Sequence, residues 1–197
     1  MDNKEGEIAV QIARKVVDSV ARFQKPKNIE MPESFNDKRG VFVTLSTYPE
    51  HDLRGCIGYP EPIYPLAKAL VLAAESACHD PRFPPLREEE LMHIVVEVSV
   101  LTPPQPIKTD DPRKLPELIT VGEDGLIVEI GPFRGLLLPQ VPVEYGWNAE
   151  EFLEHTCMKA GLTPDCWLDK RSRFLKFQAE IFAEKEPYGA IVRKTLK

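Results

Sequence analysis

The sequence predicts an α+β fold, with mostly antiparallel sheets and flanking helices. Three observations predict it. Apolar, β-branched runs are joined by short turns, as in GVFVTLSTY, PEHD and LRGCIG at 40–58. Helical periodicity is confined to segments set apart from those hairpins, which disfavours a doubly wound parallel sheet. The chain of 197 residues is 43% hydrophobic and 28% charged, enough to build a core without metal or disulfide support.

The elements follow in order. Residues 3–23 predict an amphipathic helix, because Ile8, Ile12, Val16 and Val20 recur every fourth residue beside Ala9, Ala13 and Val17. Asp2 and Glu5 have capping-box spacing. Residues 24–39, with Pro26, predict a loop. Gly40 opens a strand, and LRGCIG at 53–58 returns as its hairpin partner. Ile63 to His79 predicts a largely buried helix with Lys68 and Glu75 on its wet stripe, stopped by Asp80-Pro81. In MHIVVEVSVL, Ile94, Val96, Val98 and Val100 share one strand face and Glu97 lies on the other. TPPQPIKTDDPRKLP is the proline-rich boundary. ITVG and LIVEIG around Glu123-Asp124-Gly125 predict a hairpin with the turn at Asp-Gly. LLLPQV predicts a third short strand. Asn148 with Glu151 predicts a capped helix ending at Gly161. Residues 173–185 alternate as a last strand, and the tail is short and basic.

Composition excludes several classes. The net charge of −6 disfavours a broad nucleic-acid surface, and Lys170-Arg171-Ser172-Arg173 reads as a solvated edge. The apolar stretch 63–78 is broken by Lys68 and Glu75 and is too short to span a bilayer. The acidic start MDNKEGE is unlike a signal peptide, so a cytoplasmic location is expected. Cys56, Cys78, Cys157 and Cys166 form no CxxC pair and no zinc spacing, so free thiols, no disulfide and no metal or cofactor are expected. Nineteen prolines at segment junctions and few amides hint at a thermophile.

LRGCIGYPEPIYPLAKAL at 53–70 carries a resemblance to the AMMECR domain family, with its Leu-Arg-Gly-Cys-Ile-Gly hallmark. DPRFPPL at 80–86, EVSVLTPP at 97–104, RGLLLPQVPVEYGW at 134–147 and FLEHTCMKAGL at 152–162 extend it in order. The resemblance implies a single AMMECR-type domain of two unequal lobes. The larger would hold 1–110 plus 168–197, the smaller 111–167, with a suspected active-site cleft between them. It implies no established reaction. It suggests a process shared with Memo-type and radical-SAM proteins.

Within that frame the candidate catalytic residues are Cys56, His79 and Glu97. Strand alternation places Arg54 beside Cys56, where a guanidinium favours the thiolate; Leu53 and Ile57 would face the core. The alternative for Cys56 is packing, as a small hydrophobe. His79, at a helix end, suits proton transfer or the capping of carbonyls, with Asp80 fixing the turn. Glu97 suits a general base, a partner for Arg54 or Arg82, or a surface charge. The candidate ligand-binding residues are Arg54, Gly55, Gly58, Asp80, Arg82, Arg134 and Gln140. Arginine beside glycine suits an anion, since the guanidinium binds carboxylate or phosphate and glycine admits close backbone approach. The function expected is binding of a small anionic ligand, with a thiol at the site. The alternative is a non-catalytic interaction or regulatory module that uses the hallmark as a recognition surface.

Overall fold

The structure is a computed structural model that describes residues 1–25 and 30–194. Part of the expected 24–39 loop, residues 26–29, and the last three residues of the basic tail lie outside the described residues. The helices are α1 (Asn3–Ala21), α2 (Leu66–Ala77), α3 (Gln140–Tyr145) and α4 (Ala149–Lys159). The strands are β1 (Val41–Thr47), β2 (Leu53–Tyr59), β3 (Ile94–Leu101), β4 (Gln105–Pro106), β5 (Asp124–Ile130), β6 (Phe133–Leu137), β7 (Arg173–Glu184) and β8 (Ile191–Lys194). Strand pairing is antiparallel, and the fold is α+β.

The chain divides into two units. One is Met1–Leu101 with the segment that begins at Glu180; the other is Thr102–Ala179. The divisions therefore fall at 101 and 179, against the expected 110 and 168. They cut β7 rather than the residues before it.

The first unit is built on the strand order β2-β1-β3, continued by the last residues of β7, which also pair β8. Val41, Val43 and Leu45 alternate with Val96, Val98 and Val100 across β1 and β3, all buried on one face. Ile12, Val16 and Ala13 from α1, and Leu66, Leu70 and Ala73 from α2, complete that core. The Asp2 capping box forms, with Glu5 N donating to Asp2 Oδ1 at 2.8 Å. In place of an unbroken loop before β1, Glu33–Asn36 makes a 3-10 turn that buries Phe35.

The second unit packs α4 on β5 and β6 around Leu126, Val128, Phe152, Leu153, Trp167 and Phe174. The expected hairpin at Asp124-Gly125 does not form. Asp124 is buried and accepts from Thr120 N at 2.9 Å and Lys176 Nζ at 3.0 Å, so it starts β5 instead of turning the chain. The actual hairpin joins β5 to β6 through Gly131, in the left-handed region at φ 54°. The expected strand LLLPQV ends at Leu137, because Pro139 cannot continue the ladder, and Gln140 begins α3. The Asn148 capping box and the left-handed Gly161 after α4 are both present.

The expectation of no disulfide is overturned. Cys157 of α4 and Cys166 of the 3-10 turn Pro164–Leu168 are bonded, with Cα atoms 6.0 Å apart. Sequence spacing does not carry this pairing. It follows from the left-handed Gly161 and the short loop after it, which turn the chain back onto the buried face of α4. Cys56 and Cys78 are free.

Candidate functional site

Strand β2 pairs with β1 on one side only, and its other edge is closed by the chain that follows α2. Cys56 stands opposite Thr44, which stands opposite Glu97, so the three form one row across β2, β1 and β3. Because Cys56 lies at a non-hydrogen-bonded position of that pair, its N–H and C=O point to the edge. Asp80 and Arg82 satisfy both. Cys56 N donates to Asp80 Oδ2 at 2.8 Å, and Arg82 Nη2 reaches Cys56 O at 3.4 Å. Arg82 in turn donates to Asp80 from N and Nε at 3.0 Å and from Nη2 at 2.7 Å. An edge strand left with open amide groups invites foreign pairing, and this clamp removes them at Cys56.

Asp80 is 2% exposed. Hydrogen bonds from the Arg82 side chain hold its carboxyl far below the ordinary carboxylate range, against the burial that would raise it. The Cys56 and Arg82 N–H groups add to that effect. Arg82 is raised in return, first by Asp80 and in smaller measure by Cys56. The Arg82 side chain is 55% exposed, and its Nη1 has no hydrogen-bond partner among the described residues.

Arg54 is placed differently from the strand-phase expectation. The β1–β2 register shifts between Leu45 and Ser46: Gly55 faces Leu45, but Ser46 faces Leu53, which leaves Arg54 as the extra residue of a bulge. Leu53 is 41% exposed rather than core-facing. Arg54 binds Glu90 through Nε at 2.7 Å and Nη2 at 3.1 Å, and Pro84 O at 3.0 Å, with Phe83 at 5.8 Å from its guanidinium carbon. Burial pushes the Glu90 carboxyl up, but Arg54 and the Arg87 N–H outweigh it and hold it below its ordinary value. The guanidinium that touches the Cys56 peptide is therefore Arg82.

Gly55 has the close-approach role that its sequence position suggests. A Cβ there would lie 2.3 Å from the Ala77 carbonyl oxygen at the end of α2. Gly58 sits under the ring of Phe42, its partner on β1. Ile57 packs against the first core.

The hydrogen bonds do not join Cys56, His79 and Glu97 to one another. The Cys56 sulfur accepts from the Thr44 hydroxyl at 3.3 Å. His79 Nδ1 lies 3.0 Å from Glu75 O, one turn back on its own helix, which is the capping role. Glu97 pairs with Lys194 Nζ at 2.8 Å, not with Arg54 or Arg82. With strands about 4.8 Å apart, Cys56 and Glu97 are separated by about 10 Å of backbone, and Thr44 stands between them.

Arg134 and Gln140 belong to the second unit. Arg134 on β6 lies 3.4 Å from Glu129 Oε1 of the facing strand. Gly135 beside it admits α4: a Cβ there would meet Ala160 N at 2.6 Å and Thr156 O at 2.7 Å. Gln140 is the first residue of α3. Sequence reasoning missed Thr44, Glu90 and Lys194. Thr44 is recoverable from strand alternation, as the polar residue between Val43 and Leu45. Nothing in the sequence signals the bulge that redirects Arg54.

Among the described residues no group of three His, Cys, Asp or Glu side chains is placed to hold a metal ion. No helix there is long and apolar enough to cross a membrane.

Comparison with known proteins is consistent along the chain. The AMMECR1 family model matches residues 10–182. Protein MJ0810 of Methanocaldococcus jannaschii is 55% identical over 98% of this chain and 96% of its own. A protein of Aquifex aeolicus is 52% identical over 87% of this chain and 90% of its own. The crystal structure of the uncharacterized protein PH0010 from Pyrococcus horikoshii superimposes with a TM-score of 0.83 at 51% identity, covering 100% of this chain and 99% of that one. The chain belongs to the AMMECR1 family.

Proposed function

We propose that the protein binds a small anionic ligand beside Cys56, with Arg82 as the anchor and the thiol as the group that meets the ligand. The observation that carries this is the two-sided Asp80–Arg82 clamp on the Cys56 peptide. It fixes the thiol on a rigid edge while leaving Arg82 Nη1 open and half its side chain in solvent. A guanidinium already held by one carboxylate at Nε and Nη2 still offers a donor to a second anion. The Thr44 hydroxyl supplies a hydrogen bond to the sulfur. The roles expected for His79 and Glu97 pass to this smaller set, since both have partners of their own. From the family resemblance we also propose that the protein works in the cytoplasm, in a process shared with Memo-type and radical-SAM proteins. The disulfide fits that location if the host is a hyperthermophile, whose intracellular proteins are disulfide-rich, in line with the many prolines and few amides of the sequence.

The test is ligand protection. Acetate, oxalate and inorganic phosphate are titrated against the rate at which iodoacetamide labels Cys56 in the folded protein, read by mass spectrometry. Saturable protection by at least one anion, absent in Arg82→Ala, is expected. A second reading, a docking surface for a protein partner, is favoured by Leu53, which the bulge turns outward. Under that reading none of the anions changes the labelling rate.

A further inference from the structure

The Thr102–Ala179 unit holds a recess of about 410 Å³ whose walls come from that unit alone. A second hollow of about 460 Å³ shares Asp110, Pro112 and Lys170 with it. Both volumes fall in the range of small-molecule sites. The apolar wall is Leu115, Trp167 and Phe174, each no more than 8% exposed and part of the second core. The loop above that wall is held in place from several directions. Cys166, next to Trp167, is bonded to Cys157 of α4. Its carbonyl accepts from Asp169 N at 3.1 Å and from the Ser172 hydroxyl, and Ser172 N returns to Asp169 O at 2.9 Å. The recess is thus formed before any ligand arrives, which lowers the ordering cost of binding.

Most of the charges around it cancel in pairs. Asp169 is gripped by Arg171 at 2.6 Å, Arg113 faces Asp111 at 3.6 Å, and Arg173 faces Glu129 at 3.6 Å, a carboxylate that it shares with Arg134. Two lining charges have no such partner. Lys170 and Asp110 line both hollows, and neither has an ion pair or side-chain hydrogen bond among the described residues. A ligand complementary to one cation, one anion and an aromatic wall carries a carboxylate, an ammonium and an apolar body.

We propose that this recess binds an α-amino acid with an apolar side chain. Lys170 takes the carboxylate, Asp110 takes the ammonium, and the side chain lies against Leu115, Trp167 and Phe174. A simple anion satisfies only Lys170 and faces Asp110 with a like charge. An amine does the converse.

The experiment is calorimetric titration of the full chain with L-phenylalanine, L-alanine, hydrocinnamate and phenethylamine. Hydrocinnamate lacks the ammonium, phenethylamine lacks the carboxylate, and L-alanine lacks the apolar body. L-Phenylalanine is expected to bind saturably, and each of the other three about tenfold more weakly. Lys170→Ala and Asp110→Asn, both at exposed positions, are expected to weaken L-phenylalanine about tenfold while leaving the thermal midpoint unchanged. In a Trp147→Phe background, Trp167 is the one remaining tryptophan, and its emission should shift along the same binding curve. No saturable binding of L-phenylalanine overturns the proposal. So does equal affinity for hydrocinnamate, or an L-phenylalanine affinity that neither variant alters.

Discussion

Asp80 accepts four hydrogen bonds at a position almost sealed from solvent, so its charge is worth most where it is fully ionised. Its folded-state pKa is depressed, so its contribution to stability is complete at neutral pH. That contribution fades as pH falls below the ordinary carboxylate value near 3.9. Asp80→Asn keeps the shape but loses the charge-assisted bonds, and should cost about 1.5–3 kcal/mol at pH 7. Urea unfolding of both proteins at pH 7 and again below pH 3 checks this, and the gap should narrow in acid. Part of the site is legible from residue spacing and part is not. The row of Cys56, Thr44 and Glu97 follows from the registers of β1 with β2 and β3, which the sequence does not state. Strand alternation misplaces Arg54 and Leu53, because one unpaired residue in a bulge reverses the strand phase and leaves no compositional trace.

β2 and α2 are held at a distance that only glycine allows. A methyl group at residue 55 would overlap the Ala77 carbonyl, a backbone atom that cannot rotate away. Gly55→Ala should therefore destabilise the fold by about 1–3 kcal/mol, read as a lower denaturant midpoint with an unchanged slope. Gly131→Ala is the control: open space surrounds it, so its cost is the positive φ alone, about 1 kcal/mol. Long periodic elements were the legible ones. α1, β1, β3, α4 and β7 declare themselves through runs of apolar residues at spacings of about 3.6 or 2. The Asp124-Gly125 turn failed because turn propensity is local, whereas Asp124 answers to Thr120, Lys176 and Gln178. α3 and β8 are too short to show a period.

Across the whole molecule, the two units differ in how they are secured. The first relies on its large core and on the Arg14–Glu184 pair, both buried, with Glu184 also accepting from Val96 N at 3.0 Å. The second has a smaller core, and the Cys157–Cys166 bond closes a loop across it. A loop of this length should contribute about 2–3 kcal/mol. Thiol titration of the denatured protein without reductant should therefore find two thiols, Cys56 and Cys78, and four after reduction. In the folded protein Cys78 should stay silent, because burial pushes its thiol up to about 12. A count of four without reductant, in protein kept from added thiols, would remove the disulfide from the account. The chain leaves the first unit after Leu101, at the proline-rich stretch, and returns to it within β7, where no break in the sequence pattern marks the crossing.

In the proposed site Arg82, not Arg54, presents an anion to the Cys56 thiol. Competing alkylation by iodoacetate and iodoacetamide measures this directly, because the two reagents differ by one negative charge. The rate ratio at Cys56 in the folded protein is compared with that of free cysteine. A several-fold preference for iodoacetate relative to free cysteine is expected, lost in Arg82→Ala and retained in Arg54→Ala. A ratio equal to that of free cysteine, or one abolished by Arg54→Ala and untouched by Arg82→Ala, would contradict it.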